Sequence, residues 1–317
     1  MNGTDQCGAS PAEYQYYYFP SIYIFALSVG LPGNLAAFFY FTWRTTPRTS
    51  FSVYISNLAF ADIILLCTLP FRIHYHLNRN HWVFGDVTCR VTGILFFANT
   101  YMNICFMSCI CVDRYIATVH PHQYLRLCSV CRALLVSTVL WCIAVVAMLV
   151  FVLMGPLETE KRTSQSCFEN FAKAEWNTRL AVFSMVSLVF GSLLPSLVIL
   201  VCYPIAVRRI SRIRTKTAQK AVRVIYTILA ITVLCFLPNH VAYLLHLLRR
   251  IGVIKSCSAA RAIHDARRVT MGLVILNTCL DPVLYYVTTS HWRWKRLRWG
   301  GRVLGARGVY TIRMNPP

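Results

Sequence analysis

The sequence predicts an all-α protein, a seven-transmembrane helix bundle followed by a short amphipathic eighth helix, and three observations carry that expectation. Of 317 residues, 56% are hydrophobic and only 14% charged, with a mean hydropathy of +0.51, so a bilayer suits the chain better than water. Seven runs are long and apolar enough to cross one. The basic residues crowd the loops on a single side.

A helix advances about 1.5 Å per residue, and hydrocarbon offers no partner for an open amide, so one crossing takes about 20 apolar residues. The runs are 22–43, 52–75, 91–112, 133–154, 180–207, 224–248 and 269–289, and the first, third, fourth and fifth contain no Asp, Glu, Lys or Arg. An odd number of spans puts the termini on opposite sides. With the N-terminus outside, the cytoplasmic segments hold 19 Lys and Arg against one acid, Asp113, and the outer segments together with Arg72 of the second span hold 13 against eight. The positive-inside rule selects that orientation, in a multi-pass protein of the plasma membrane with an extracellular N-terminus.

The chain divides into an extracellular segment 1–21, the bundle 22–289, and an interfacial helix with a short basic tail, 290–317. No soluble module presents the net charge of +21, so the basic balance marks a membrane-facing surface and nucleic acid is not an expected partner. Residues 1–21 lack the basic start and apolar core of a cleavable signal, and the first span serves as the insertion signal. Asn2-Gly3-Thr4 makes Asn2 a glycosylation candidate. Of 14 cysteines, Cys7, Cys89, Cys167 and Cys257 fall on the oxidising side, and four cysteines allow three pairings. Cys128 and Cys131 have zinc-like spacing without a second pair nearby, which reads as two cytosolic thiols.

Polar groups inside the spans are costly and face a bundle interior. They are Asn34, Asp62, Arg72, Asn103, His240, His246, Asn277 and Asp281. Pro32, Pro70, Pro195, Pro204, Pro238 and Pro282 also lie in or beside spans, where a missing N–H permits a bend. An enzyme is not expected, since no HExxH pair, GxSxG elbow or phosphate-cradling glycine loop occurs. A transporter is not expected either, because no inverted repeat or matching pair of broken helices is visible.

Asp113-Arg114-Tyr115 ends the third span, and Asp281-Pro282-Val283-Leu284-Tyr285 lies in the seventh. Gly33-Asn34, Leu58-Ala59-Phe60-Ala61-Asp62, Trp141, Pro195 with Tyr203, and Cys235-Phe236-Leu237-Pro238 occupy the first, second, fourth, fifth and sixth. In this order, one set per span, they resemble the rhodopsin-like G-protein-coupled receptors over about residues 20–295. Thr68 to Ile73, Trp82-Val83-Phe84-Gly85, and Cys167-Phe168-Glu169-Asn170-Phe171 with Trp176 are similar to the branch holding the purinergic-type and lysophosphatidic acid receptors. The outer-loop run looks most like the non-Edg lysophosphatidic acid receptors, whereas Asn78-Arg79-Asn80-His81-Trp82 and Leu237-Pro238-Asn239-His240 look more like an orphan-like purinergic-type relative.

The resemblance implies a heterotrimeric G-protein partner and a switch in which Asp113 restrains Arg114 at rest. Activation swings the sixth helix at Phe236 and Pro238, frees Arg114, and brings Tyr203 and Tyr285 toward it beside Tyr115. It implies disulfides Cys89–Cys167 and Cys7–Cys257. No cofactor is expected beyond a structural sodium ion among Asn34, Asp62, Asn103, Asn277 and Asp281, the alternative being a protonated, hydrogen-bonded carboxyl pair. The chain departs from the family at Thr232, where an aromatic is usual, and at Phe236, where tryptophan is commoner.

An amine receptor of this family places an acid where this chain has Phe96, so amines are not expected. Arg72, Arg267 and Arg268 instead offer guanidinium forks to an anion, with Phe96, Tyr101, His240 and Tyr243 lining the way and Phe97 and Leu247 continuing an apolar wall. Nucleotide receptors of the branch tend to carry a base three residues after the sixth-span histidine, and here that residue is Tyr243. The expected ligand is therefore an anionic lipid such as a lysophospholipid. A nucleotide or small carboxylate is the alternative, and six histidines on the outer half (His74, His76, His81, His240, His246, His264) add proton sensing as another. Beyond the seventh span, Trp292, Lys295, Arg296 and Trp299 share one helical face, suited to anionic inner-leaflet lipids.

Overall fold

The computed structural model describes residues 13–154, 167, 185–186, 188–210, 216–250, 252–254 and 256–288. Asn2, Cys7, the side chain of Tyr203 and the expected eighth helix lie outside them. The described chain forms α1 (Gln15–Arg44), α2 (Ser50–Leu77), α3 (Gly85–Val119), a short α4 (Pro121–Leu127), α5 (Val130–Met154), α6 (189–210), α7 (216–250) and α8 (Cys257–Thr288). All but α4 correspond to the expected spans. Each overruns its apolar run at one end or both, because the run measures only the hydrocarbon thickness while a helix can continue into the headgroup layer.

Among the described residues, α1, α2, α3, α5 and α7 each contain a stretch long and apolar enough to cross a membrane. Helix α8 carries Arg261, Asp265, Arg267 and Arg268 in its outer turns, which dilutes its hydropathy without shortening it. The packing runs opposite to that of a water-soluble protein. Leu135, Ile143 and Val146 of α5 are 64%, 61% and 59% exposed, whereas Asn34, Asp62, Asn277 and Asp281 are 0% exposed. A surface that presents aliphatic side chains and an interior that collects carboxamides and carboxylates fit lipid as the outer solvent.

Helix α3 runs through the middle and packs on α2, α5, α6 and α7, while α1 closes the bundle against α2 and α8. Thr49 starts α2 with a capping box, its hydroxyl accepting from the Ser52 amide. The α1–α8 seam is tight at Gly33, where an added Cβ would lie 2.6 Å from Pro282 Cγ. Small residues let two backbones approach to that degree.

Three widened turns, hydrogen-bonded i to i+5, stand two residues ahead of prolines: Ala26–Gly30 before Pro32, Val189–Leu193 before Pro195, and Thr232–Phe236 before Pro238. Proline has no N–H and its ring collides with the carbonyl four residues back, which here belongs to Ser28, Gly191 or Leu234, each inside the widened turn. The wide turn re-aims those carbonyls and keeps the helix going. Pro70, Pro204 and Pro282 sit in ordinary α-helix, so proline alone does not dictate the widening.

Candidate functional site

Three groups of residues follow one another along the bundle. At the end of the bundle where α3 runs into α4, Asp113 is 3% exposed. Its Oδ2 accepts from Arg114 Nη2 at 2.5 Å and Nε at 3.1 Å. The guanidinium also lies 4.1 Å above the Phe51 ring. The other carboxylate oxygen accepts from Ser50 Oγ, which in turn is 3.4 Å from Tyr124 Oη on α4. Burial and the neighbouring Asp113 charge push the Cys128 thiol up to about 11, which keeps it neutral near pH 7.

The second group is the polar core. Asp62 Oδ1 accepts from Asn103 Nδ2 at 2.8 Å and from Asn99 Nδ2 at 3.1 Å. Asn277 Nδ2 donates to Asp281 Oδ2 at 3.1 Å. Asn34 Nδ2 donates to the carbonyls of Gly30 and Thr278, and its Oδ1 accepts from Tyr285 Oη at 3.2 Å. Four buried oxygens here have no donor: Asp62 Oδ2, Asn103 Oδ1, Asn277 Oδ1 and Asp281 Oδ1. Acceptors of one kind, stranded away from water, fit a bound cation or a shared proton.

The third is a small cavity of about 20 Å³ toward the other end of the bundle. Phe96, Phe97, Thr100 and Tyr101 from α3, Leu188 before α6, Asn239, His240 and Tyr243 from α7, and Arg267 and Met271 from α8 line it. His240 stacks on Phe236 with ring centroids 6.3 Å apart and planes 17° from parallel, linking the cavity floor to the widened turn of α7. The Arg267 guanidinium lies 5.7 Å from the Tyr243 ring centre. Gly191 brings α6 close to Tyr101, since a Cβ there would stand 2.9 Å from Cδ1 of that ring.

The structure thus brings Phe96, Tyr101, His240, Tyr243 and Arg267 together as the sequence predicts, with Phe97 beside them and Leu247 away from the lining. Arg72 and Arg268 lie apart from this lining. Arg72 is 4% exposed and neither lines the cavity nor snorkels. Its Nη2 donates to the Thr92 carbonyl at 3.0 Å, its guanidinium lies 4.7 Å over Phe96, and Tyr23 Oη accepts a further hydrogen bond from it. The α-helical register turns Arg72 toward α1 and α3, where Nη2 is taken up by Thr92 while the buried Nε has no hydrogen-bond partner among the described residues. Arg268, one position on from Arg267, points about 100° away around the helix, toward Tyr14, His76 and His264, whose titration it influences. Arg90 pairs with Asp86 at 2.7 Å on the exposed outer turn of α3.

Cys89 is bonded to Cys167, with Cα atoms 5.9 Å apart, beneath the aromatic cluster of Tyr75, Trp82 and Phe84. Cys257 is disulfide-bonded too, and its expected partner Cys7 lies outside the described residues. Sequence reasoning missed Asn99, Ser50, Thr100, Asn239 and Met271. Asn99 has a readable signal, since it stands one turn before Asn103 on the face that meets Asp62. The others are small or common residues without one.

The profile of the 7 transmembrane receptor (rhodopsin family) matches residues 33–285. Purinoceptor 1 of Gallus gallus is 31% identical over 297 residues, 92% of this chain and 82% of that receptor. The uracil nucleotide/cysteinyl leukotriene receptor of Rattus norvegicus is 34% identical over 294 residues, covering 92% and 84%. Lysophosphatidic acid receptor 6 of Gallus gallus is 30% identical over 284 residues, covering 88% and 92%. The matched stretch takes in the stranded oxygens of the core, the Asp113–Arg114 pair and Tyr285, so the chain belongs to the rhodopsin family of seven-transmembrane, G-protein-coupled receptors, in the branch of the purinergic and lysophosphatidic acid receptors.

Proposed function

We propose that this receptor answers an extracellular anionic ligand, a lysophospholipid such as lysophosphatidic acid, whose head pairs with Arg267. The observation that carries this is the composition of the cavity. Among its described lining residues Arg267 is the one Arg or Lys, and around it stand Phe96, Phe97, Leu188 and Met271. One guanidinium suits a singly phosphorylated or carboxylate head, and the apolar wall suits a chain. A nucleotide is the second reading, favoured by the purinoceptor and uracil nucleotide names of two relatives.

In the same reading Asp113 and Arg114 are the resting restraint, and Tyr115, Tyr203 and Tyr285 belong to the rearranged cytoplasmic crevice. Phe236 and Pro238 transmit the cavity's state, since Phe236 touches His240 and Pro238 sits above the widened turn. A sodium ion bound by Asp62, Asn103, Asn277 and Asp281 would supply the positive charge that their stranded oxygens lack. The charge asymmetry supports a plasma-membrane protein with segment 1–21 outside, Asn2 glycosylated and Cys7 paired with Cys257. It also supports segment 290–317 lying on anionic inner-leaflet lipids through Trp292 and Trp299.

The test is G-protein activation in cells given lysophosphatidic acid or nucleoside diphosphates, with each G-protein class present in turn. We expect a response to the lysophospholipid that is lost in Arg267→Ala at equal surface expression. A response confined to nucleotides transfers the site to the second reading, and silence toward both overturns the anionic ligand.

A further inference from the structure

Among the described lining residues of the cavity there is one carboxamide, Asn239, beside His240 and on the same wall as Arg267 of α8. Its Oδ1 is 3.5 Å from Thr270 Oγ1, which also donates to the Arg267 carbonyl at 3.0 Å. The same threonine therefore touches the backbone of the proposed anion-binding residue and the oxygen end of Asn239. With Oδ1 turned toward α8, Nδ2 lies on the opposite edge of the planar amide with its two N–H donors in that plane, and no hydrogen bond takes them up among the described residues. A carboxamide cannot satisfy a full negative charge as a guanidinium does, but it donates well to a neutral oxygen such as a hydroxyl or ester carbonyl.

We propose that Asn239 is a specificity-determining residue: its Nδ2 reads a neutral acceptor oxygen next to the anionic group of the ligand, and Thr270 is the positioning residue that sets the amide's orientation. For an acylglycerol phosphate that oxygen belongs to the glycerol backbone. Arg267 then recognises charge, and Asn239 recognises what the charge is attached to. The assignment rests on the anionic-lipid reading of this cavity. It goes beyond that reading by separating lipids that share a phosphate and a chain.

Two probes differ in that one feature. Oleoyl lysophosphatidic acid carries a glycerol ester between phosphate and chain, and oleyl phosphate carries none. In full-length receptor at matched surface expression, Asn239→Leu should cost lysophosphatidic acid about tenfold in potency, the scale of one lost hydrogen bond with its donor left unpaired, and cost oleyl phosphate little. Thr270→Val should give the same selective loss in smaller measure, and Arg267→Ala should lower both probes together. Equal losses for both probes in Asn239→Leu make Asn239 a packing residue and overturn the assignment while the anionic-lipid reading stands. Loss of neither probe in Asn239→Leu overturns it as well. A receptor whose response to both probes survives Arg267→Ala contradicts the charge recognition itself, and a wild-type receptor that answers neither probe sinks both proposals.

Discussion

Ser50 Oγ donates to one oxygen of Asp113 while Arg114 holds the other, so the carboxylate paired with the arginine is itself fixed by the first turn of α2. Deleting the hydroxyl leaves Asp113 buried at 3% exposure with one oxygen short of a donor. That weakens the resting arrangement more than the active one, in which Arg114 has left. We expect Ser50→Ala to raise ligand-free nucleotide exchange on the G protein by about three- to tenfold, equivalent to roughly 1 kcal/mol of bias. Asp113→Asn should raise it further, and Arg114→Ala should abolish exchange while ligand binding stays within a few-fold. Unchanged basal exchange in both Ser50→Ala and Asp113→Asn, measured per receptor at the surface, would remove the restraint from the mechanism.

Arg72 and Arg267 separate what looks alike in sequence. Arg267 lines the cavity, so Arg267→Ala should weaken an anionic agonist by about 2–3 kcal/mol, the scale of a charge-assisted hydrogen bond in a partly desolvated site. Arg72 joins α2 to the Thr92 carbonyl of α3 and covers Phe96. Arg72→Ala should therefore lower surface expression and thermal stability in detergent, with agonist potency per surviving receptor shifted less than in Arg267→Ala. The reverse order of potency losses, read from concentration–response curves at equal expression, would return Arg72 to the binding site.

The seven crossings, their order and the Asp113–Arg114 pair are legible in the sequence because each rests on a local property: apolar length, loop charge, or neighbouring residues. The polar core is legible as well, since few ionisable groups survive inside an apolar run without a shared partner. What the sequence does not carry is azimuth. Arg267 and Arg268 differ by one position and face different neighbours, and Arg72 turns toward Thr92 because of where α3 packs. The widened turns are half legible: Pro32, Pro195 and Pro238 have them, while Pro70, Pro204 and Pro282 fit into regular helix, a difference set by neighbouring helices.

His264 tests the proton-sensing alternative. Burial lowers its pKa, and the Arg268 and Arg267 cations lower it further against the opposing pull of Asp265. A histidine depressed in this way stays neutral at pH 7, and the stability it contributes is fully present above its unfolded value of about 6.5. As pH falls from there through the folded pKa, the unfolded chain binds more protons and that stability is lost. We expect the thermal midpoint of purified receptor to drop below about pH 6.5 and the His264→Asn variant to lose part of that drop. Signalling should not switch between pH 8 and pH 7, and a ligand-free response across that interval that disappears in His264→Asn would favour a proton sensor.

Gly191 and Tyr101 give the most local test of the cavity. The widened turn before Pro195 carries Gly191 against the Tyr101 ring, and a Cβ placed 2.9 Å from Cδ1 is closer than packed carbons tolerate. Backbone on the α6 side cannot retreat easily, because Ser108 Oγ ties the Pro195 carbonyl to α3 at 2.9 Å. The ring must then yield, and the space beside it is the ligand cavity it lines with Tyr243 and Leu188. Gly191→Ala should lower agonist potency by about five- to thirtyfold, the range of roughly 1–2 kcal/mol typical of a small overpacking, with G-protein coupling at saturating agonist retained. Tyr101→Leu frees the same volume, so the double variant should recover part of the loss: the two substitutions are coupled, and their effects should fail to add. Additive losses in a four-way comparison of concentration–response curves would show that Gly191 acts through the α6 backbone and that Tyr101 does not shape the space the ligand occupies.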